Sequence, residues 1–292
     1  MSEVGSSVPR RQLGRLLRQA RQEAGINLQA AAEALEWSRA KMYRLESGQT
    51  SLRTHDVVLI CQLYGTPKEL TDVLVSLALE SKAKAWWHAY DGVIPSWFEL
   101  YVGLEAAAAH IRNYEPALIP GLLQTPEYAT VIFQAKPGRS PEEMARKVAL
   151  RMERQRLLAR QRPAAPRFEA IIDEAVLRRP IADTEAWRRQ LAHLVNGTQP
   201  ANTSLRVLPS SVGPHGASVA GAFVIMDYPA IGTRPADPST VYCESLTGAL
   251  YLDKSTELET YTDAWCMLEN LALDRRASED LIATVIKETF DD

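Results

Sequence analysis

The feature that most constrains the fold lies between residues 27 and 48, where two short helices are predicted to follow each other across a tight turn. Asn27 and Ser38 suit the N-cap position, because a short polar side chain accepts a hydrogen bond from an exposed helical N–H group. Glu36-Trp37 is the predicted turn, and Ser47-Gly48 ends the second helix. The first of these helices has apolar residues at helical spacing, with alanines small enough to let another helix cross closely (Leu28, Ala31, Ala32 and Leu35).

Two further helices are predicted on either side of this pair. One runs from about Pro9 to Ala24, since proline suits a first helical turn and Gly25 suits the end. The other runs from about Thr54 to Tyr64. Their predicted apolar positions are Leu13, Leu16, Leu17, Ala20 and Ala24 in the first, and Val57, Val58, Cys61 and Leu63 in the second. The sequence thus predicts a small helical bundle over residues 10–70.

The short helix at residues 39–46 presents an unusual outer surface. Met42 and Leu45 point inward, whereas cationic and hydrogen-bonding side chains point outward (Arg39, Ala40, Tyr43 and Arg44, with Lys41 on the flank). This is what reading a major groove requires, because arginine binds guanine O6 and N7 with two hydrogen bonds and a small apolar side chain contacts a thymine methyl. The alternative is a bundle that mediates only protein contacts.

The run from Gly25 to Gly48 resembles the phage-repressor-like, XRE-type helix-turn-helix, most specifically in its ending Glu46-Ser47-Gly48. The resemblance implies binding to double-stranded DNA. It implies base reading by Arg39, Ala40, Lys41 and Arg44, and backbone positioning by Asn27, Ser38, Tyr43, Gln49 and Ser51. Two residues depart from the family pattern, since Leu28 stands where glutamine is usual and Glu36 where glycine is usual.

The remaining chain is predicted to mix helices and strands. Helices are expected at 70–88, 126–134, 140–160, 183–196, 255–273 and 278–289, and strands at 108–114, 167–173, 203–208, 223–228 and 241–245. Because the strands cluster late and are joined by Pro/Gly-rich turns, an α+β domain with a small sheet is preferred to a doubly wound one. The predicted organisation is a flexible N-terminus (1–9), the helix-turn-helix domain (10–70), a helical linker (71–95) and the α+β domain (96–292).

This larger part is similar to a domain that commonly follows an XRE-type head in actinobacterial proteins. The similarity is carried by residues 97–105, 111–116, 119–129, 151–155, 173–180 and 242–245. The family is described as antitoxin-like regulators, often encoded beside a small partner protein. The resemblance therefore implies regulation through a protein partner bound by the C-terminal domain.

Composition excludes several other classes of protein. The apolar runs are too short to cross a bilayer and no secretion signal precedes residue 10, so no membrane association is expected. Three scattered cysteines, Cys61, Cys243 and Cys266, fit a reducing cytoplasm better than a disulfide framework or a zinc site. Residues 1–70 carry a charge of +3 and the rest −6, which suits a polyanion partner at one end only.

No enzymatic site and no cofactor are predicted. The five histidines lack metal-ligand spacing, and no GxSxG, Walker or GxGxxG motif occurs. His215 is interpreted as a solvated loop residue, while Asp173, Glu174 and Glu244 are expected to serve in helix caps and ion pairs rather than in acid–base catalysis. The arginine-rich run 146–162 is predicted to be a solvated, ion-paired helix, with a second DNA contact as the alternative.

Two modes of control remain open at this point. The first is the protein partner that the resemblance implies. The second is a small-molecule sensor, in which tryptophans of the C-terminal part would line a pocket (Trp86, Trp87, Trp97, Trp187 and Trp265), although these are also ordinary core residues. In either case one head covers about half of a typical operator, so the sequence predicts a cytoplasmic homodimer on palindromic DNA, with the C-terminal helices as the default dimer surface.

Overall fold

The computed structural model describes residues 7–48, 50–80, 90, 96–135, 138, 140–195, 200–230 and 236–290. The chain divides into two compact units. The first comprises Met1–Asp91 with Glu99–Leu104, and the second comprises Gly92–Phe98 with Glu105–Asp292. None of the described helices is long and apolar enough to cross a membrane.

The first unit is helical, as predicted. Its helices are α1 (Ser7–Glu23), α2 (Leu28–Ala34), α3 (Arg39–Glu46), α4 (Thr54–Tyr64) and α5 (Lys68–Glu80). One apolar core joins them, including Leu13 and Leu17 of α1, Ala31 and Ala32 of α2, Met42 and Leu45 of α3, and Ile60 of α4. The mainly α bundle of the predicted fold class is therefore confirmed.

Helix α4 has the predicted bounds but a different buried face. Val57 and Cys61 are buried as expected, together with Ile60 and Tyr64, whereas Leu63 is only partly buried. Residues 57, 60, 61 and 64 follow one stripe at i, i+3, i+4 and i+7, which is the pattern that one helix face requires. The prediction therefore missed Ile60 and wrongly included Val58, which is not among the residues packed against the core, whereas Leu63 packs against it while only partly buried.

Helix α5 belongs to the same core. Leu74 and Ala78 are fully buried and Leu77 nearly so, within the cluster that the other four helices form. The linker predicted over 71–95 thus begins with a helix that packs in the first unit, while residues 81–89 and 91–95 lie outside the described residues. A further helix, α6 (Ser96–Ala107), contributes residues to both units.

The second unit is built on a six-stranded mixed sheet, in the order β3-β2-β1-β4-β5-β6. The strands are β1 (His110–Glu115), β2 (Arg167–Asp173), β3 (Thr203–Leu208), β4 (Phe223–Asp227), β5 (Thr240–Ser245) and β6 (Gly248–Leu252). β1, β2 and β3 are parallel, and β4, β5 and β6 continue the sheet antiparallel from β1. The predicted α+β class is confirmed, with a sheet that includes one strand, β6, not expected from the sequence.

Helices cross over between the parallel strands and cover the sheet. β1 is followed by α7 (Pro126–Gln134) and α8 (Pro141–Gln155), and β2 by α9 (Glu174–Leu177) and α10 (Thr184–Val195). α11 (Ser255–Leu271) and α12 (Arg275–Phe290) complete the unit. Trp265 and Leu268 of α11 pack on one sheet face, against Phe223, Ile225 and Val241. Since Ile111, Phe168 and Ile172 of the other face are also fully buried, both faces of the sheet are covered.

The outer edge of β3 is closed by the segment between α11 and α12. The Val207 N–H donates to Ser278 Oγ at 2.9 Å, and the Leu273 N–H donates to the Val207 carbonyl at 2.9 Å. Arg206 donates to the carbonyls of Glu269, Ala272 and Leu273 at 2.6–2.8 Å. The guanidinium thus satisfies carbonyl groups that the end of α11 leaves without helical partners.

Candidate functional site

Helix α3 has the polarity that the sequence predicted. Ser38 Oγ accepts a hydrogen bond from the Lys41 N–H at 3.2 Å and so caps the helix. Met42 and Leu45 are buried at 1% and 2% exposure. Four residues of the same helix are exposed, two of them arginines (Arg39, Ala40, Tyr43 and Arg44). The helix is therefore anchored by two apolar side chains and presents two arginines to solvent.

Lys41 differs from the other predicted base-reading residues. It is half-buried, and its ammonium nitrogen lies 3.5 Å from the centroid of the Trp37 ring in the turn before α3. A cation over an indole face is attracted by the ring quadrupole. A base contact by Lys41 would have to replace this interaction, whereas Arg39 and Arg44 have no partner among the described residues.

The predicted backbone-positioning residues lie around the helix ends. Asn27 caps α2, its Oδ1 accepting from the Ala30 N–H at 2.9 Å, and Ser38 caps α3 as described. Tyr43 is 60% exposed on α3. Ser51 is half-buried in the segment that precedes α4, and Gln49 lies outside the described residues.

The turn between α2 and α3 adopts the backbone that the family pattern implies. Glu36 has a φ of +54°, in the left-handed region where glycine is usual. A residue with a Cβ pays about 1–2 kcal/mol for this conformation. The geometry of the turn is therefore kept although its usual residue is absent.

The ending Glu46-Ser47-Gly48 has a structural explanation. Glu46 forms a bidentate ion pair with Arg21 of α1, at 2.7 and 2.9 Å, and the hydrogen bond raises the pKa of Arg21. Arg21 also donates to the Ile26 carbonyl at 2.7 Å. Gly48 has a φ of +69°, and a Cβ there would lie 2.7 Å from the Cα of Arg11. These residues fix the end of α3 against α1.

Sequence reasoning missed Arg21 and Arg53. Arg21 was not singled out, and it is only 8% exposed. A carboxylate in the last turn of a helix faces the negative end of the helix dipole, so Glu46 was a signal that a cation lies nearby. Arg53 is exposed at the N-cap position of α4, next to the loop that the resemblance singled out.

In the second unit the arginine-rich segment is used internally. Arg154 forms a bidentate ion pair with Glu105 at 2.7 and 2.8 Å, and their side chains are 6% and 2% exposed. Arg156 pairs with Glu153, and Arg160 donates to the carbonyls of Ala106 and Ala108. The predicted ion pairing is confirmed, but the prediction of a solvated helix was wrong, because Lys147 and Arg154 are buried and the helix ends at Gln155.

Several motifs of the C-terminal resemblance meet at the carboxyl end of β1. Gln124 donates to the Ile119 carbonyl at 2.7 Å and accepts from Arg151 at 2.5 Å. Gln155 donates to the Gly121 and Gln124 carbonyls, and Gln190 binds the Leu123 carbonyl and the Thr125 N–H. Side chains from α8 and α10 therefore hold the turn of residues 119–125 in place.

Glu115 ends β1 at this corner of the sheet. Burial and the charge of Glu244 raise the pKa of Glu115 to about 8, against the opposing charge of Arg151. Glu244 accepts a hydrogen bond from the Tyr242 hydroxyl at 2.9 Å, and the Tyr242 ring lies 5.2 Å from that of Tyr251. The negative charge of Glu244 thus acts on Glu115, a residue that the sequence analysis did not single out.

The other candidate groups have structural partners. Asp173 caps α9 through the Ala175 N–H, and Glu174 binds Arg178 and the Ser210 N–H, so the predicted capping and ion-pair roles are confirmed for these two residues. They are not confirmed for Glu244, which accepts from the Tyr242 hydroxyl and neither caps a helix nor pairs with a cation among the described residues. Trp187 and Trp265 are buried in the core, Trp187 stacking on Tyr128, while Trp86 and Trp87 lie outside the described residues. No group of three or more possible metal ligands occurs in the part of the chain that the structure describes.

A polar network links β1, β2 and β4 on the face that α11 covers. His110 Nε2 lies 2.6 Å from Glu169 and Nδ1 3.4 Å from Asp227. Asp227 also accepts from Arg112 at 2.9 Å and from Ser239. Burial alone would raise the pKa of Asp227, but the hydrogen bonds from His110 and Ser239 and the charge of Arg112 lower it to about 2.

Comparison with known proteins agrees with this division of the chain. A helix-turn-helix domain family matches residues 12–74, and the family described as "Domain of unknown function (DUF5753)" matches residues 98–284. No curated protein and no solved structure matches the chain. Because the second match covers more than half of the sequence, the chain belongs to the DUF5753 family and carries a helix-turn-helix domain ahead of it.

Proposed function

We propose that this protein is a sequence-specific transcriptional regulator of the cytoplasm, and that α3 reads the major groove of double-stranded DNA. The observation that carries the proposal is the exposed face of α3, where Arg39 and Arg44 lie without partners among the described residues on a helix fixed by two buried apolar side chains. Each bidentate arginine–guanine contact contributes roughly 1–3 kcal/mol of discrimination. Ala40 lies beside Arg39 for contact with a thymine methyl.

The remaining predicted residues would set the register on the duplex. Asn27 and Ser38 lie at the N-termini of α2 and α3, where exposed N–H groups favour phosphate. Tyr43 and Ser51 would contact the backbone beside them, and the exposed Arg53 adds a cation next to Ser51. We propose binding as a homodimer, because one head of this size covers about half of a palindromic operator.

Binding to the DNA upstream of the protein's own gene tests this proposal. Fluorescence anisotropy at several salt concentrations would compare the native chain with Arg39→Ala/Arg44→Ala. We expect the double variant to lose at least a hundredfold in affinity for the specific site, and to keep salt-sensitive binding to any duplex.

Arg188→Ala/Arg276→Ala is the matched control, since it removes the same charge from exposed positions of the second unit. We expect it to bind as the native chain does. If the native chain shows no sequence preference, or if the α3 variant equals the control, then α3 does not read DNA and the first unit is a protein-interaction module.

For the second unit we propose a regulatory, non-enzymatic role in binding a small protein partner, in the manner of antitoxin-like regulators. The feature that favours a protein contact is the hairpin of β5 and β6, where Leu246 and Leu250 are 89% and 60% exposed. Residues 246–252 contain no charged side chain. An exposed apolar segment of this kind is typical of protein-binding surfaces. Co-purification of a small protein with the native chain, lost in Leu246→Lys/Leu250→Lys, would support this role.

Control by a small molecule is the second candidate. It is favoured by the corner at the end of β1, where Glu115 and Glu244 lie near each other with few partners. Polar groups that converge in a half-buried site are a common feature of ligand pockets.

A further inference from the structure

The corner at the end of β1 contains two polar side chains on the same sheet face. Asn113 and Glu115 are two residues apart on β1, and alternate residues of a strand point to the same side. Asn113 is only 6% exposed and its Oδ1 has no hydrogen-bond partner. Buried amide oxygens are almost always satisfied, so the Asn113 oxygen is available to accept a hydrogen bond from a bound molecule or water.

The carboxyl group of Glu115 also lacks a partner, since within the described residues no hydrogen bond or ion pair reaches it. The charge of Arg151 lowers the pKa of Glu115, but this guanidinium donates to Gln124 at 2.5 Å. A half-buried carboxyl without a compensating partner is costly in its charged form.

A second carboxylate faces the same space. Tyr114 pairs with Phe223, and Val224 pairs with Tyr242. Continuing these registers to the strand ends places Glu115, Ala222 and Glu244 in one row on one face. Because the residue between the two glutamates is alanine, the segment that begins β4 places no long side chain between them. The two carboxyl groups are close enough for the Glu244 charge to act on Glu115.

We infer that this corner binds a small molecule that carries a primary ammonium group. Such a group has three N–H donors, and the corner offers three acceptors: the Asn113 amide oxygen and the carboxylates of Glu115 and Glu244. Its positive charge reduces the repulsion between the two carboxylates. The inference gives a chemical class to the second candidate function, and it does not depend on DNA binding.

Binding of the ammonium ligand is also expected to depend on pH, through the proton of Glu115. In the free protein Glu115 holds its proton at neutral pH, since burial and Glu244 raise its pKa to about 8. An ammonium ligand keeps its own charge and drives the Glu115 proton into solvent. The charged and titratable groups around Glu115 are Glu244 of β5, Arg151 of α8 and Tyr128 of α7. Affinity is therefore expected to rise several-fold for each pH unit between 6 and 7.5.

The test is calorimetric titration of the full chain, without DNA, with n-butylammonium chloride. We expect binding that Glu115→Gln weakens at least tenfold and that no longer depends on pH in this variant. Glutamine has the shape of the protonated acid, so the variant should fold as the native chain does. Glu259→Gln, at an exposed position of α11, is the matched control and should bind normally. n-Butyltrimethylammonium has the same charge but no N–H donors, and should bind at least tenfold more weakly.

Three results would overturn the inference: no binding of n-butylammonium at 50 mM, equal binding by Glu115→Gln, or equal binding of the trimethylated ligand. The DNA anisotropy assay, repeated with saturating ligand, separates this site from the sensing function. Ligand binding with unchanged DNA affinity would support the site while contradicting control by a small molecule. The result for Arg39→Ala/Arg44→Ala tests only whether α3 reads DNA, so its failure can be distinguished from failure of the ammonium site.

Discussion

The arginines of α3 and those of α8 show two opposite uses of the same side chain. Arg39 and Arg44 lie exposed on a short helix and contribute nothing that the described structure requires. Arg154 lies 6% exposed in a bidentate ion pair with Glu105, and Arg151 holds Gln124. The comparison teaches that the number of arginines in a helix does not by itself indicate a nucleic-acid surface, because those of α8 are used within the fold.

The largest expected effect comes from exchanging one arginine of each kind for methionine. Arg154→Met leaves the Glu105 carboxylate buried without a partner, which should lower the free energy of unfolding by about 3–5 kcal/mol. Arg44→Met should change it by less than about 0.5 kcal/mol, because the side chain is exposed. Urea unfolding followed by circular dichroism measures both.

The same two variants should show the reverse order in DNA binding. Arg44→Met is expected to lose affinity for the specific site, and folded Arg154→Met to keep it. If the two variants were equally stable, or equally weak on DNA, the distinction between structural and surface arginines would not hold.

Acid unfolding sharpens the comparison, because the second unit also uses its carboxylates internally. The pKa of Asp227 is about 2 in the folded protein and 3.8 ordinarily. A lowered pKa means stability that is present above pH 4 and is lost as the pH falls through 2. Asp227→Asn should therefore be about 2 kcal/mol less stable than the native chain at pH 7, with the difference vanishing near pH 2. Urea unfolding at pH 7, 4, 3 and 2 measures this, and a difference that did not change with pH would contradict it.

The smallest expected effect on stability concerns Glu36, an exposed residue with a strained backbone in the turn before α3. Glu36→Gly should raise the free energy of unfolding by about 0.5–1 kcal/mol, because glycine adopts a φ of +54° without a steric penalty. Glu36→Gln removes the charge but keeps the Cβ, and should leave stability unchanged. Both variants should bind DNA more tightly if the turn lies near phosphate. Equal stability of the two would show that the turn is not strained.

Local patterns were enough to predict much of the fold. The caps at Asn27 and Ser38, the bounds of α4, and the strands β2 and β3 all follow from residues close together in sequence. The hairpin strand β6 was missed because Gly248 and Ala249 have low strand propensity and the Leu246-Thr247 turn lacks a glycine or asparagine signal. α6 was missed because apolar residues occupy most of its circumference, so that no periodic face stands out.

The candidate site residues also divide into those that local sequence predicts and those that only the folded chain brings together. The outward residues of α3 could be predicted, since a single helix sets which of its side chains share a face. The pairing of Arg21 with Glu46, 25 residues away, could not. Neither could the row formed by Glu115 and Glu244, because it depends on β4 lying between β1 and β5, and strand order is not written in any one segment.

The closure of the β3 edge by Arg206, Leu273 and Ser278 has a consequence for solubility. An open strand edge is a template on which other chains can add, and it is a common starting point for aggregation. Here the edge N–H and carbonyl of Val207 are already bonded, and a guanidinium occupies the adjacent helix end. This side of the sheet cannot recruit a strand from another molecule unless the connection between α11 and α12 first detaches. Variants of Arg206 or Ser278 are therefore expected to reveal themselves first as insoluble protein during expression, before any change in regulation is seen.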